Sequence, residues 1–151
     1  MNWSGGKDST LTLYKVLIEG RIEVHGLFTT ISHELRRITM HGVREELLDA
    51  QAAALGMPLY KLELPASDTM DAYNQLMQEN LESFKAQGVT HAIFGDIYLE
   101  DLKAYRETEL SKVDIKGIFP LWKLPVKEII STFIEKGFKA VIVCVSARYL
   151  D

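Results

Sequence analysis

A single cysteine, Cys144, stands among the 151 residues. No intrachain disulfide framework can form from it, and a reducing cytoplasm is the expected compartment. No apolar run approaches the ~20 residues that a membrane-crossing helix needs. The opening Met1-Asn2-Trp3-Ser4-Gly5-Gly6-Lys7-Asp8 also lacks the apolar stretch of a signal peptide, so no membrane partner is expected. Proline and glycine are sparse, at 4 and 10 residues, which removes collagen-like and linker readings. A hydrophobic share of 47% removes disorder. Positive charge is not in excess: 17 Lys+Arg against 21 Asp+Glu leave a net charge of −4. That balance disfavours nucleic acid held on a broad basic face, though not RNA held by a small local patch. Metal-binding spacings are missing as well. His25, His33, His41 and His91 form no H-x-x-x-H pair, and no C-x-x-C occurs.

What remains is the pattern of one ordinary domain over residues 1–151, long enough to bury a core. Short apolar runs alternate with helical periodicity. A helix is predicted over 10–19, with Leu11, Tyr14, Leu17 and Ile18 on one stripe and Gly20 as its stop. Strands are predicted over 22–30 and 59–64, with a helix over 43–55 between them. A helix over 70–85 and a buried strand over 89–97 follow. A helix over 99–110, an extended run over 115–122 and a helix over 126–136 come next. Residues 140–145, small and β-branched, read as a strand covered on both faces. This alternation predicts an α/β fold, doubly wound, with a mainly parallel five-stranded sheet and helices on both faces. Only three residues precede the glycine turn, where a strand of about five or six is usual, so the first strand is expected to lack its start.

The strongest chemical signal is Ser4-Gly5-Gly6-Lys7-Asp8-Ser9, directly before the first helix. It reads as an anion cradle. Gly5 and Gly6 can take positive φ and let the backbone approach a ligand. The helix start offers unpaired N–H groups and about half a positive charge. Ser4 and Ser9 can donate to phosphate oxygens, and Lys7 adds a mobile charge. Asp8 can cap the helix or hold magnesium between itself and phosphate. The G-x-x-x-x-G-K-[ST] spacing of a Walker A loop is absent. A capped helix after a glycine turn is the plainer alternative for Ser-Gly-Gly alone; the full six-residue string at a first strand-to-helix turn favours the cradle.

This string resembles the SGGxDS signature of the PP-loop (N-type) ATP pyrophosphatases. Phe94-Gly95-Asp96-Ile97, then Leu99-Glu100-Asp101 and Glu107, is similar to the second signature of the diphthine–ammonia ligase-like branch. Phe119-Pro120-Leu121-Trp122 and Met40-His41-Gly42 are similar to further stretches of that branch. The similarity runs along essentially the whole chain. The resemblance implies a Rossmann-like, adenine nucleotide alpha hydrolase-like domain that uses ATP and Mg2+. The implied reaction adenylates an unknown carboxylate or amide acceptor, releases pyrophosphate and lets ammonia displace AMP. It implies Ser4, Gly5, Gly6, Lys7, Asp8 and Ser9 around the phosphates, Leu27, Phe28 and Thr29 as an adenine wall, and Gly95 beside the nucleotide. Lys7, Asp8, Asp96 and Glu107 are the implied catalytic residues, with Asp8 and Asp96 on the metal. Three departures stand out. The first strand is nearly absent, Lys103 occupies a position where arginine is common, and the chain stops before a Gly-Glu-x-Gly-Glu-Phe type segment that shapes the acceptor site. A non-catalytic adenine-nucleotide-binding module and a tRNA-modifying PP-loop relative are the alternatives.

The other polar residues carry weaker signals. Gly95-Asp96 ends the best strand, where α/β sheets bind ligands, although Gly-Asp also simply makes turns. Glu100, Asp101, Lys103, Arg106 and Glu107 read first as a solvated ion-pair face, since Lys103 and Glu107 are i,i+4 neighbours. His41 stands either at a functional helix start or in an ordinary turn. Lys123, Lys127, Lys136 and Lys139 tint the C-terminal part basic, without the interleaved aromatics of a base-stacking surface. A nearly missing central strand would favour completion by a second copy, so a homodimer is an expectation.

Overall fold

A computed structural model describes residues 1–39, 42–65, 69–143, 146 and 148. Met40, His41, Cys144 and Val145 therefore lie outside the described residues, and with them the His41 reading and the end of the last predicted strand. Five helices and five short strands follow one another: α1 (Lys7–Glu19), β1 (Leu27–Ser32), β2 (Arg37–Ile38), α2 (Glu45–Leu55), β3 (Leu59–Leu64), α3 (Met70–Ala86), β4 (His91–Ile93), α4 (Glu100–Ser111), β5 (Lys116–Ile118) and α5 (Val126–Glu135). The chain is α/β, as its alternation implies.

The five-stranded parallel sheet needs correction. The strands form a three-stranded sheet, β2-β1-β3, and a separate pair, β4-β5. β1 runs parallel to β3 from Leu27↔Leu59 to Ser32↔Leu64, but β2 returns antiparallel on its other edge. Residues 1–3 stand between the two sheets and are too short to be a ladder. The Phe28 N–H donates to the Met1 carbonyl at 2.8 Å and the Trp3 N–H to the Phe28 carbonyl at 2.7 Å. On the opposite edge, the Asn2 N–H donates to the Ile93 carbonyl at 2.8 Å. A first strand of three residues can stitch its neighbours but cannot merge them.

Helices cover both faces. Leu27 and Ile31 of β1 point one way, onto Leu13 of α1 and Leu48 and Ala52 of α2, with Trp3 completing the cluster. α5 joins this side, packing Ile129 and Phe133 against Leu11. Phe28 and Tyr60 point the other way and meet Phe84 of α3 edge-on, at 5.6 and 5.1 Å between ring centres. The two-residue period of the strand sends alternate side chains to opposite layers. Leu110 of α4 packs with Phe94 and Ile115. Two ion pairs, Lys61 to Glu45 at 2.8 Å and Lys61 to Asp49 at 2.6 Å, tie β3 to α2. Burial pushes the Lys61 amine down, but these hydrogen-bonded carboxylates leave it above its usual value.

Several element expectations change. The buried stripe of α1 is Leu11, Leu13 and Val16, whereas Leu17 and Ile18 are exposed. The strand placed over 22–30 begins only at Leu27, and those over 89–97 and 115–122 shrink to three residues each. The β2 hairpin was not expected. Residues 140–143 form no strand, and Val141 is 86% exposed rather than covered on both faces. A β-branched run becomes a strand only where a neighbouring edge offers hydrogen bonds, and none of the described strands pairs with it.

Candidate functional site

Trp3 ends the short first segment, and the chain turns at Ser4-Gly5-Gly6 into α1. The two glycines do different things, contrary to the expectation that both take positive φ. Gly5 has φ +69°, and a Cβ there would stand 2.5 Å from Gln51 Oε1. Gly6 is the helix N-cap with φ −91°, and a Cβ there would meet nothing closer than Ser4 Oγ at 3.5 Å. Gly5 is required by conformation and packing, whereas Gly6 keeps a surface bare. Gln51 of α2 clamps the turn from below. It accepts from Trp3 Nε1 at 3.2 Å and donates to the Gly5 carbonyl at 3.1 Å.

Helix α1 begins with unmet donors. Its first backbone bond is from the Thr10 N–H to the Gly6 carbonyl at 3.0 Å, which leaves the amides of Lys7, Asp8 and Ser9 without backbone acceptors. No side chain caps them. Asp8, one candidate for that cap, instead receives Lys7 Nζ on both carboxylate oxygens at 2.7 Å. Ser9 Oγ donates to the Gly6 carbonyl at 3.0 Å and lies 3.2 Å from Ser4 Oγ. Three uncapped amides, a helix dipole and two serine hydroxyls meet at one bare turn, an arrangement that offers donors and positive potential to an anion.

The C-terminal end of β4 closes onto this turn. A Cβ on Gly95 would stand 3.0 Å from the Asp8 carbonyl carbon and 3.1 Å from the Ser9 nitrogen. A side chain at Gly95 would push the two backbones apart by a few tenths of an ångström. Asp96, next in sequence, lies 2.8 Å from Arg106 Nε, and the two side chains are 17% and 23% exposed. The Nε–H is not aimed along a hydrogen-bond line, so both atoms are buried without a hydrogen bond. The Arg106 guanidinium also lies over the Phe94 ring, 4.4 Å from its centre.

The remaining sequence candidates lie as follows. Glu107 pairs with Lys103, whose amine sits over Phe119 at 4.9 Å and Trp122 at 5.5 Å. Leu27 and Thr29 are buried in the sheet, and Phe28 packs on Phe84. The Leu27 N–H donates to the Pro58 carbonyl, and the Phe28 backbone is paired with Met1 and Trp3. For magnesium, the half-buried Asp8 carboxylate, paired with the exposed Lys7 amine, could serve as a single ligand beside phosphate oxygens once Lys7 moves, whereas Asp96 is paired with the largely buried Arg106. Among the described residues no three His, Cys, Asp or Glu side chains converge.

Gln51 and Arg106 are the supporting residues that sequence reading missed as such. Each carried a signal. Gln51 lies next to Ala52 and three residues after Leu48 on the buried stripe of α2, and Arg106 lies four residues before buried Leu110 of α4.

A family model described as diphthamide synthase N-terminal domain matches residues 1–116. No curated protein matches the chain.

Proposed function

Because this chain belongs to the diphthamide synthase N-terminal domain family, a PP-loop ATP pyrophosphatase family, we propose that it is an ATP-dependent amide ligase that holds ATP on residues 4–9. The observation that carries the reading is the uncapped start of α1, where the amides of Lys7, Asp8 and Ser9 face the bare Gly6. In the proposed reaction a carboxylate oxygen of the acceptor attacks the α-phosphorus. The bond to the bridging oxygen breaks and pyrophosphate leaves. Ammonia then attacks the acyl carbon and AMP departs.

The chain's own residues do this work by position and charge. The amides bind phosphate oxygens in fixed directions. Lys7 exchanges its contact with Asp8 for the negative charge that develops on the leaving pyrophosphate. Asp8 is the residue that would hold Mg2+, and that ion supplies charge neutralisation on the phosphates. Gly95 and Asp96 border the nucleotide from the β4 side, with Asp96 oriented by Arg106. Glu107 is the residue assigned to the incoming amine.

The test is pyrophosphate release with ATP, ammonium and a peptide bearing a diphthine-type carboxylate. Release that depends on all three components is expected. ATP binding without release under any of these conditions would replace the ligase with a non-catalytic nucleotide-binding module. Failure to bind ATP would overturn both.

A further inference from the structure

Arg106 of α4 carries donors that the fold leaves unused. Its side chain is largely buried, and its Nε faces Asp96 Oδ2 without a hydrogen bond. Among the described residues, the guanidinium groups that form hydrogen bonds are those of Arg36 and Arg37, and neither terminal nitrogen of Arg106 forms one. Burying a guanidinium costs free energy unless its N–H groups meet acceptors. The neighbouring acids of α4 are engaged elsewhere. Glu109 accepts from Lys112 Nζ on its two oxygens at 2.8 and 2.7 Å, and Glu107 pairs with Lys103. The terminal nitrogens of Arg106 therefore remain a planar fork of donors for an acceptor from outside the fold.

That fork borders a cavity between α3 and α4. Arg106 lines it together with Tyr73, Met77, Leu81, Phe94 and Tyr105. Tyr73 lies near enough to Arg106 for this charge to oppose the upward push that burial gives its phenol. Tyr105 Oη donates to Asn74 Oδ1 at 2.6 Å and so pins α4 to α3. The polar end of the cavity thus offers guanidinium N–H groups and the Tyr73 hydroxyl, whereas Met77, Leu81 and Phe94 make the rest of this wall apolar. Such a pocket fits an anion with an apolar body. A carboxylate matches the fork, because its two coplanar oxygens accept two parallel N–H bonds.

The strand end places this fork beside the glycine turn. Phe94 and Asp96 meet Arg106 of α4, while Gly95 between them meets the start of α1. Successive residues of an extended chain face opposite ways, so the fork and the uncapped amides of α1 flank the same three residues. We propose that Arg106, with Tyr73, holds the carboxylate of the acceptor, and that the acceptor is a monocarboxylic acid whose apolar body lies between α3 and α4. Its role as acceptor rests on the ligase reading; the binding of the acid does not.

The probe is hydrocinnamate, titrated calorimetrically into the full chain, with hydrocinnamide as its uncharged counterpart. One saturable site per chain is expected, with the amide about tenfold weaker or worse, the loss of one charge-assisted pair. Arg106→Lys keeps the charge without the fork and should weaken the acid by a similar factor. Tyr73→Phe should weaken it several-fold with a Tm close to the parent's, which keeps the test open should the lysine variant fold poorly. A non-hydrolysable ATP analogue with magnesium should bind alongside the acid, neither displacing the other. The site is overturned if the acid does not saturate, if the amide binds as tightly, or if both variants bind like the parent. Displacement of the acid by the analogue overturns its role as acceptor. Failure of the analogue to bind removes the ligase reading and the acceptor role with it, while the titration of the acid alone still decides the site.

Discussion

Arg106 Nε lies 2.8 Å from Asp96 Oδ2, and the same guanidinium lies over the ring of Phe94, one residue before the Gly95 that touches α1. One arginine therefore joins α4 to the β4 end of the candidate site. Removing it leaves a largely buried carboxylate unpaired. Arg106→Ala is expected to cost about 2–3 kcal/mol in urea denaturation. Arg106→Lys should recover only part of that, because lysine keeps the charge but loses the planar stack.

The two glycines of the turn should separate folding from binding. Gly5→Ala forces a side chain into positive φ against Gln51 and is expected to cost about 1–3 kcal/mol. Gly6→Val meets no such obstacle, so its Tm should change little while calorimetric ATP binding disappears. Normal ATP affinity in Gly6→Val would refute the cradle.

Gln51 supports the turn from the layer beneath. Gln51→Leu removes the bonds to Trp3 and Gly5 and is expected to cost about 1–2 kcal/mol. ATP affinity should also fall several-fold, because the turn is no longer held in place.

Asp8→Asn keeps the shape of the side chain and removes its charge. ATP binding should weaken mainly when magnesium is present and hardly at all in EDTA, measured by calorimetry in both buffers. Equal weakening in the two buffers would take Asp8 off the metal.

Burial lowers the Met1 amine from 8.0 to about 6. Between those values the unfolded chain binds more protons than the folded one, so stability rises with pH across this window and levels off above it. A shift of this size corresponds to roughly 2–3 kcal/mol. Urea midpoints measured from pH 5.5 to 8.5 should climb accordingly, and acetylating the amine should flatten the climb.

Helix spans and the anion turn were legible because both are local. α3 and α5 begin at the residues that periodicity marks and β3 matches its predicted span, while α1 begins at Lys7, three residues earlier than predicted, so that Lys7, Asp8 and Ser9 form its first turn. The α/β alternation follows for the same reason: a helix or strand writes its period into consecutive residues. Pairing is not local. The sheets divide into three and two strands because residues 1–3 offer too few hydrogen bonds to join them. Residues 140–143 have strand composition but no described edge to pair with. The Arg106–Asp96 contact and the Gln51 clamp join residues 10 and 46 positions or more apart, whose encounter depends on how whole layers pack. The sequence alone determined which segments curl, which extend and where an anion can be met; only the tertiary structure decided which edges are satisfied, because hydrogen bonds between strands and ion pairs between layers exist only once distant segments share one surface.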